Sequence, residues 1–320
     1  MRAILVNDDR SLSWSEVPTP APKADEVLLK IKAAGINRAD LMQRDGDYPP
    51  PADCPPWMGL EVSGVVEKTG ENVTLWKAGD AACALLGGGG YAEYVCVKED
   101  MLMPVPKGLP VVEAAALPEA FATSFVNLRL EAKIEAGQTI LITGGNSGLA
   151  SVMIPMAKSL GAKVITTVRS DEKAEAIKNL GADIIVNTKK TSLEEVLKNN
   201  PIDAAVDCIG GSDVGTYLNY MNRGGRWIMI AALAGSETKV DLKLLYKKNI
   251  YLSGNTLRAR TPAAKAEILA KLVKEIWPLI ENGSMKPSIY RILPIEQADE
   301  GQALLRNSES TGKVILTVGE

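Results

Sequence analysis

QTILITGGNSGLASVMIPMAKSLGAKVITTVRSDEK, residues 138–173, decides the fold. It opens on an apolar run, QTILIT (138–143), passes through a turn of small residues, GGNSGLA (144–150), continues as the helical stretch SVMIPMAKSLG, and returns to a second apolar run, AKVITTV (162–168). Strand, tight turn, helix and strand make the opening of a parallel sheet, because parallel neighbours need a crossover and a helix usually supplies it. Four more runs follow: ADIIVN (182–187), IDAAVDCI (202–209), GRWIMIAAL (225–233) and NIYLSGN (249–255). DEKAEAIKNLG and SLEEVLKNN lie between them with helical patterning, and the first two helical stretches end on glycine, the usual C-terminal stop. Runs apolar on both faces with helices between them predict a doubly wound α/β unit, its parallel sheet covered on both sides.

Residues 1 to about 118 read differently. Short alternating stretches, AILV, EVLLKIKAAGI, LEVSGVVEKTG, DAACALL and YAEYVCV, predict a mainly β, partly closed barrel. PPPADCPP (49–56) has five prolines in eight residues, so it is neither helix nor inner strand and is expected as an ordered surface loop. TPAAKAEILAKLVKEIWPLIEN (261–282) is one long amphipathic helix, and IYRILP and GKVILTV then return to strand character. That tail is read as rejoining the first domain. The expected division is residues 1–122 with 261–320 for one domain and 123–260 for an inserted one.

Composition removes whole classes of chemistry. The 320 residues include no histidine, which excludes Ser-His and Cys-His nucleophile pairs, an imidazole general base and imidazole zinc ligands. Cys54, Cys83, Cys96 and Cys208 form no CxxC pair, so no thiolate zinc lobe or redox dithiol is expected, and no metal site. Thirty-six Lys plus Arg against 39 Asp plus Glu leave a net charge of -3, which gives no electrostatic reason to bind nucleic acid or an anionic membrane. The start, MRAILVNDDRSLSWSEV, has no apolar signal core, and no apolar run approaches the ~18 residues a membrane span needs. A soluble protein in a reducing compartment, the cytoplasm, is expected.

The turn at 144–150 suits a pyrophosphate. Small residues let the backbone come close, while unpaired N–H groups and the helix dipole favour negative charge. As a GxGxxG string it has Gly145 first, Ser147 in the middle and Ala150 last, so Gly145, Asn146, Ser147, Gly148 and Leu149 are the candidate phosphate-binding residues. Gly-rich turns between strand and helix also occur for packing alone. An NAD enzyme places Asp or Glu near the end of the second strand for the ribose 2'-hydroxyl. Here that place reads Val168-Arg169-Ser170-Asp171-Glu172-Lys173. Arg169, Ser170 and Lys173 can surround a 2'-phosphate, with Asp171 and Glu172 as helix caps, so NADP(H) is the expected cofactor. The competing reading is a solvated, charged helix start.

The strings NRADLMQRDGDYPPP (37–51), MGLEVSGVV, GGGYAEYVCV, PEAFATSF, GGNSGLA, DCIGG, GRWIMIAALAG, GNTLRAR and TGKVILTV, in that order over essentially the whole chain, resemble the zinc-free quinone oxidoreductases of the medium-chain dehydrogenase/reductase superfamily. The resemblance is closest to the zeta-crystallin-like subgroup that includes a tumour-suppressor-inducible quinone oxidoreductase. It implies a GroES-like mainly β catalytic domain, an inserted Rossmann domain, and NADPH in the cleft between them. The positions that carry Cys and His zinc ligands in metal-containing relatives match Asn37 and Leu60, neither of which can serve as such a ligand. The resemblance also implies Tyr48 at the substrate pocket and Asn37 facing the nicotinamide, with Thr123, Ala231, Leu233, Asn255 and Leu257 along the nicotinamide half and Lys313 as a further cofactor contact. The residues themselves leave other roles open, an aromatic resting on the proline loop for Tyr48 and a turn cap for Asn37. Relatives often carry an aromatic ring after the third strand; this chain has Asn187-Thr188, leaving Thr188 as a phosphate donor.

Hydride delivery needs an acceptor held within roughly 3 to 3.5 Å, and a quinone needs no strong general acid, which fits a chain without histidine. NADPH-dependent, zinc-independent reduction of quinones or related conjugated carbonyl compounds is expected. The alternatives are an enoyl reductase acting on α,β-unsaturated carbonyls or thioesters and a non-catalytic NADPH-binding protein. NIYLSGN reads as an apolar edge strand, and relatives often extend this sheet on dimerising, so a homodimer is expected.

Overall fold

Two compact units divide the chain, one made of Met1–Ala122 with the chain from Arg260 onward, the other of Thr123–Ala259. The computed structural model describes residues 1–319.

The first unit begins with a hairpin of β1 (Arg2–Val6) and β2 (Leu12–Glu16), followed by the ten-residue strand β3 (Glu26–Gly35) and the helix α1 (Arg38–Asp45). Four strands come next: β4 (Glu61–Thr69), β5 (Ala81–Leu85), β6 (Tyr94–Lys98) and β7 (Leu102–Pro104). Two short helices, α2 (Val111–Ala114) and α3 (Pro118–Phe125), lead out. β3 organises the sheet because it is long enough to use both edges. β4 pairs antiparallel along one edge, from Val27↔Thr69 to Ala34↔Val62, and β6 takes the first half of the other edge. Register shifts at Leu28/Leu29 and Ile31/Ala33 mark irregularities that bend such a strand. Val27, Leu29, Ile31 and Ala33 are buried and Lys30 is exposed, while Leu28 and Ala34 are buried too, so burial alternates only in the middle of the strand and both faces are covered towards its ends.

The proline-rich stretch is ordered by close packing. Trp57 donates from its indole nitrogen to the carbonyl of Gly89 at 3.0 Å, and Gln43 donates to the carbonyl of Pro56 at 3.0 Å. Gly89 has φ +91 and lies so near Pro55 that a Cβ there would come to 2.8 Å from the ring, so a larger residue is strained twice over.

The second unit runs β8 (Thr139–Ile142), α4 (Ala150–Ser159), β9 (Lys163–Val168), α5 (Asp171–Ala176), β10 (Ile184–Asn187), α6 (Leu193–Asn199), β11 (Ile202–Asp207), α7 (Val214–Tyr217), β12 (Met221–Met229), α8 (Leu242–Lys248) and β13 (Tyr251–Gly254). All five strand pairings are parallel and the order is β10-β9-β8-β11-β12-β13. This is the doubly wound sheet the sequence predicts, with the strand order reversing between β8 and β11. Gly161 and Gly181 stop the first two helical stretches at φ +79 and +92. One face is packed by Leu141, Ile165, Leu197, Leu218 and Trp227, with the Tyr217 ring stacked on Trp227 at 6.2 Å. No helix is expected from the sequence at α7, which has only four residues, or at α8, which is as long as α6.

The chain then returns to the first unit as α9 (Pro262–Glu281), β14 (Ile289–Pro294), α10 (Ala298–Arg306) and β15 (Lys313–Thr317). Thr261 caps α9 by accepting from the Ala264 N–H, and Pro262 fills the first turn, where a missing N–H costs nothing. Trp277 of α9 packs edge-on against Phe121 at 6.5 Å and donates to the carbonyl of Pro104 at 2.7 Å. β15 pairs antiparallel with the end of β3, beyond the stretch β6 occupies, and parallel with β14.

Candidate functional site

In the second unit the chain leaves β8 through Gly144, held at φ +68, and Gly145, which has no room for a side chain. A Cβ on Gly145 would come to 2.9 Å from Ile177 Cδ1 and closer still to Thr166 Oγ1. Thr166 is itself buried, with its hydroxyl donating to the Ile142 carbonyl at 2.7 Å. The turn is closed by Gly145 N–H to Thr167 O at 2.8 Å and Ser147 N–H to Gly144 O at 2.9 Å. Ser147 Oγ accepts from the Ala150 N–H at 3.1 Å. Among the described residues no hydrogen bond engages the amide N–H groups of Gly148 and Leu149, which stand at the positive end of the ten-residue helix α4. Tight turn, open amides and helix dipole coincide at the reversal of strand order, the place where such sheets take anionic ligands. These residues therefore fit a dinucleotide pyrophosphate.

Asp207, at the end of β11, is a buried acid beside this turn that sequence reading did not single out. It is buried, and Oδ1 accepts from Thr143 Oγ1 at 2.8 Å and from the N–H groups of Ile209 and Gly210 at 2.8 and 3.2 Å. Thr143 Oγ1 in turn accepts from the Cys208 N–H at 3.0 Å. These bonds tie the turn after β8 to the turn after β11, and a small crevice between them is lined by Thr143, Ser147, Leu149, Val206 and Cys208. The signal was present in DCIGG, an acid followed by turn-forming glycines.

At the end of β9 the charges have no acid among them until the helix begins. Lys173 is half-buried, and its ammonium is held below the ordinary lysine value first by burial and then by the neighbouring Arg169 charge. Two cations that raise each other's energy make a place for an anion. Ser170 rather than Asp171 or Glu172 caps α5, accepting from the Lys173 N–H at 3.3 Å. Asp171 is held below the usual carboxylate range by Lys190, its ion-pair partner, and by Asn187, which donates at 2.7 Å. Thr188 donates its hydroxyl to the Val168 carbonyl at 3.2 Å.

The remaining second-unit candidates gather beyond the strand ends. β12 stops at Met229, so Ala231 and Leu233, expected inside the strand run 225–233, lie instead beyond its end in an exposed loop. That loop follows the turn after β11 through Ile230 N–H to Asp207 O at 2.9 Å and Ala234 N–H to Ile209 O at 2.7 Å. Asn255 follows β13 and its N–H donates to Met229 O at 3.0 Å, while Leu257 is buried. Thr123 lies one turn before Asn127, whose side chain donates to the Thr123 carbonyl at 2.8 Å.

In the first unit Asn37 caps α1, and its backbone N–H donates to Asp40 Oδ2 at 2.7 Å. Its side chain is bonded on every side. Nδ2 donates to Glu61 Oε1 at 3.0 Å and to the Gly35 carbonyl at 3.3 Å, and Oδ1 accepts from Lys313 Nζ at 2.8 Å. Lys313, 3% exposed, also forms an ion pair with the wholly buried Glu61 at 2.5 Å and donates to the Ile36 carbonyl at 3.1 Å. These bonds bear on two expectations. Both amide hydrogens of Asn37 are engaged, so it has none to direct at a substrate oxygen, and the Lys313 ammonium is held inside this unit rather than offered to a cofactor.

Asp40, also fully buried, accepts from Tyr91 Oη at 3.0 Å and from the Gly59 N–H at 3.1 Å; burial pushes its carboxyl up to about 6. Tyr48 is half-buried in the stretch joining α1 to the proline loop, just past Gly46 at φ +91. Leu60 belongs to the core at 3% exposure. Leu60 and the engaged amide of Asn37 do not fit a zinc ion. Among the described residues no group of three or more Cys, Asp or Glu side chains could hold a metal.

A doubly wound sheet with an open glycine-rich turn at its switch point, inserted into a mainly β unit built from both ends of the chain, defines the two-domain dehydrogenase/reductase architecture. The alcohol dehydrogenase GroES-like domain family matches residues 23–107, and the zinc-binding dehydrogenase family matches residues 148–275. Acryloyl-coenzyme A reductase of Sulfurisphaera tokodaii is 29% identical over 99% of this chain and 99% of its own. Quinone oxidoreductase of Sus scrofa is 27% identical over 94% of this chain and 92% of its own. A solved structure described as an NAD-dependent alcohol dehydrogenase superposes with a TM-score of 0.87 at 29% identity, covering all of both chains. The chain is an oxidoreductase of the medium-chain dehydrogenase/reductase superfamily, whose members bind a nicotinamide cofactor.

Proposed function

We propose that this protein reduces quinones or related conjugated carbonyl compounds with NADPH and without a metal. The observation that carries the cofactor assignment is the Arg169–Lys173 cation pair, standing where an NAD enzyme places an acid. The 2'-phosphate is assigned to Arg169 and Lys173, with Ser170 holding the helix start beneath them. Gly145, Asn146, Ser147, Gly148 and Leu149 hold the pyrophosphate. Thr188 keeps the loop after β10 against β9 through the Val168 carbonyl. Thr123, Ala231, Leu233, Asn255 and Leu257 line the nicotinamide half.

When bound, the reduced nicotinamide supplies a hydride, two electrons and one proton's worth of hydrogen. The acceptor gains that hydride, negative charge develops on its oxygen, and a proton from solvent completes the hydroquinone. Tyr48 is the side chain proposed to donate to that oxygen. Asn37 is assigned a positioning role, since its amide is fixed by Glu61, Gly35 and Lys313.

A second reading, reduction of an enoyl thioester, is favoured by the similarity to acryloyl-coenzyme A reductase over the full length of both chains. The two reactions share hydride delivery to an electron-poor conjugated carbonyl compound. NADPH absorbance followed against a quinone, an enal and an enoyl-coenzyme A thioester separates them. Quinone turnover supports the first reading, turnover of the thioester alone the second, and nucleotide binding without turnover overturns both. We also propose a homodimer formed through the edge strand β13, where Tyr251 and Leu252 are 53% and 39% exposed. A monomer in sedimentation at micromolar concentration overturns that assignment.

A further inference from the structure

Asp171, the first residue of α5, stands three positions past Val168 at the end of β9, in the neighbourhood where an acid binds a ribose 2'-hydroxyl. Its carboxylate is held from the next strand end. β10 lies parallel to β9 with Asn187 level with Val168. Asn187 Nδ2 donates to Asp171 Oδ1 at 2.7 Å, and Lys190 Nζ forms an ion pair with Asp171 Oδ2. Both oxygens are therefore engaged, one by an amide and one by a countercharge. Glu172, the other acid of this stretch, is bonded to the Ser170 hydroxyl.

The turn after β10 is built to deliver those two groups. The Asn187 carbonyl accepts from the Lys190 and Thr191 N–H groups, each at 2.9 Å, which folds the chain back on itself. Asn187 Oδ1 accepts from the Lys189 N–H at 3.1 Å. A backbone N–H only donates, so that bond fixes the Asn187 oxygen toward the turn and its NH2 toward Asp171. Thr188 fastens the same turn to the Val168 carbonyl through its N–H at 2.9 Å and its hydroxyl at 3.2 Å. The Lys190 and Asp171 side chains are 65% and 60% exposed, and a pair so open adds little to stability. Its effect is on the field at the end of β9. Lys190 holds the Asp171 carboxyl below the usual carboxylate range, and Asp171 holds the Lys190 ammonium above the ordinary lysine value, so both stay charged and offset one another.

We infer that Lys190 is a cofactor-specificity residue: by neutralising Asp171 it keeps an acid of the kind that binds a ribose 2'-hydroxyl from repelling the 2'-phosphate of NADPH. The inference rests on the proposed 2'-phosphate place beside Arg169 and Lys173 and adds to it a residue from a different strand end. Without Lys190 the Asp171 carboxylate stands uncompensated. It then repels a phosphate and accepts from a hydroxyl, so one substitution moves the two affinities in opposite directions. The order of residues 168–173 does not show this, because the countercharge lies 19 positions beyond the acid.

The test uses the full-length protein, with NADPH and NADH titrated by calorimetry at one low ionic strength, since salt screens exposed charges. Lys190→Met is expected to weaken NADPH by about five- to tenfold and to tighten NADH by about twofold. Asp171→Asn leaves the Lys190 charge uncancelled, so the preference for NADPH rises by about two- to fivefold. In Asp171→Asn/Lys190→Met the net charge of the wild type is restored, and the preference returns to within about twofold of the wild-type ratio. A wild-type preference retained in Lys190→Met overturns the inference. So does a double variant that binds NADPH as poorly as Lys190→Met, because Lys190 then acts on the phosphate itself and not through Asp171. Both side chains are exposed, so the fold does not depend on them, and NADH binding by each variant reports that it is intact. A wild type that binds NADH at least as tightly as NADPH overturns the 2'-phosphate reading and the inference with it, a result distinct from a preference that Lys190→Met leaves unchanged.

Discussion

Removing the Lys313 ammonium tests the reading of the buried cluster in the first unit. Lys313 and Glu61 are 3% and 0% exposed and 2.5 Å apart, and the same ammonium donates to Asn37 Oδ1 and the Ile36 carbonyl. In Lys313→Ala the Glu61 carboxylate keeps its bonds from Asn37 and from the Glu119 N–H but loses its countercharge in a dry site. Breaking a buried pair from one side costs about 3 to 5 kcal/mol, whereas replacing both charges by apolar groups of similar size is often close to neutral. Lys313→Ala is therefore expected to destabilise the first unit by about 3 to 5 kcal/mol, and Lys313→Met with Glu61→Leu by roughly 2 kcal/mol or less. Urea unfolding followed by tryptophan fluorescence reads this directly, since Trp14, Trp57, Trp76 and Trp277 belong to the first unit and Trp227 to the second. With a slope of about 3 kcal/mol per molar urea, the single variant moves the midpoint down by about 1 to 1.7 M. A single variant within about 1 kcal/mol of the wild type, or a double variant no more stable than the single one, refutes the reasoning.

Three further outcomes are expected. Gly145→Ala forces a Cβ against Thr166 and Ile177, neither of which is exposed enough to yield, so stability falls by about 1 to 3 kcal/mol and dinucleotide affinity falls with it; unchanged calorimetric binding contradicts the close-approach argument. Arg169→Ala with Lys173→Ala is expected to weaken NADPH by about 10- to 100-fold and NADH by less than about twofold, and equal NADPH binding by variant and wild type removes the 2'-phosphate assignment. The fold favours the neutral form of Asp40, whose carboxyl is pushed up to about 6 from an ordinary 3.8, so its contribution is fully present below pH 4 and is lost as pH rises through 6. The stability difference between wild type and Asp40→Asn should accordingly fall by about 3 kcal/mol between pH 4 and 7, and a flat difference rules this out.

Much of the second unit was readable from residues close together in the chain. Its six strands and its first three crossover helices follow from local apolar period, because each strand is buried by helices on both faces and therefore shows an unbroken apolar run. The glycine turn was legible for the same reason, since backbone approach selects small residues in a row. α7 was not, because its single turn carries too little periodicity. Ala231 and Leu233 read as strand because they are apolar, yet the strand stops at Met229, where the chain leaves the sheet to follow the turn after β11.

The candidate site in the first unit shows the opposite case. Asn37, Glu61 and Lys313 are individually unremarkable letters, and nothing near any of them announces the other two. Their meeting depends on β15 crossing back to pair with β3, which brings residue 313 against residue 37. The Asn127–Asn255 bond likewise joins positions 128 residues apart. Sequence by itself determined which stretches become the strands of the parallel sheet, where the backbone turns tightly on small residues between strand and helix, and that imidazole takes no part. Only the tertiary structure decided which polar side chains are already committed to one another, because hydrogen-bond partnership in a buried site depends on distance in space and on what water has been excluded, and neither is written in local order.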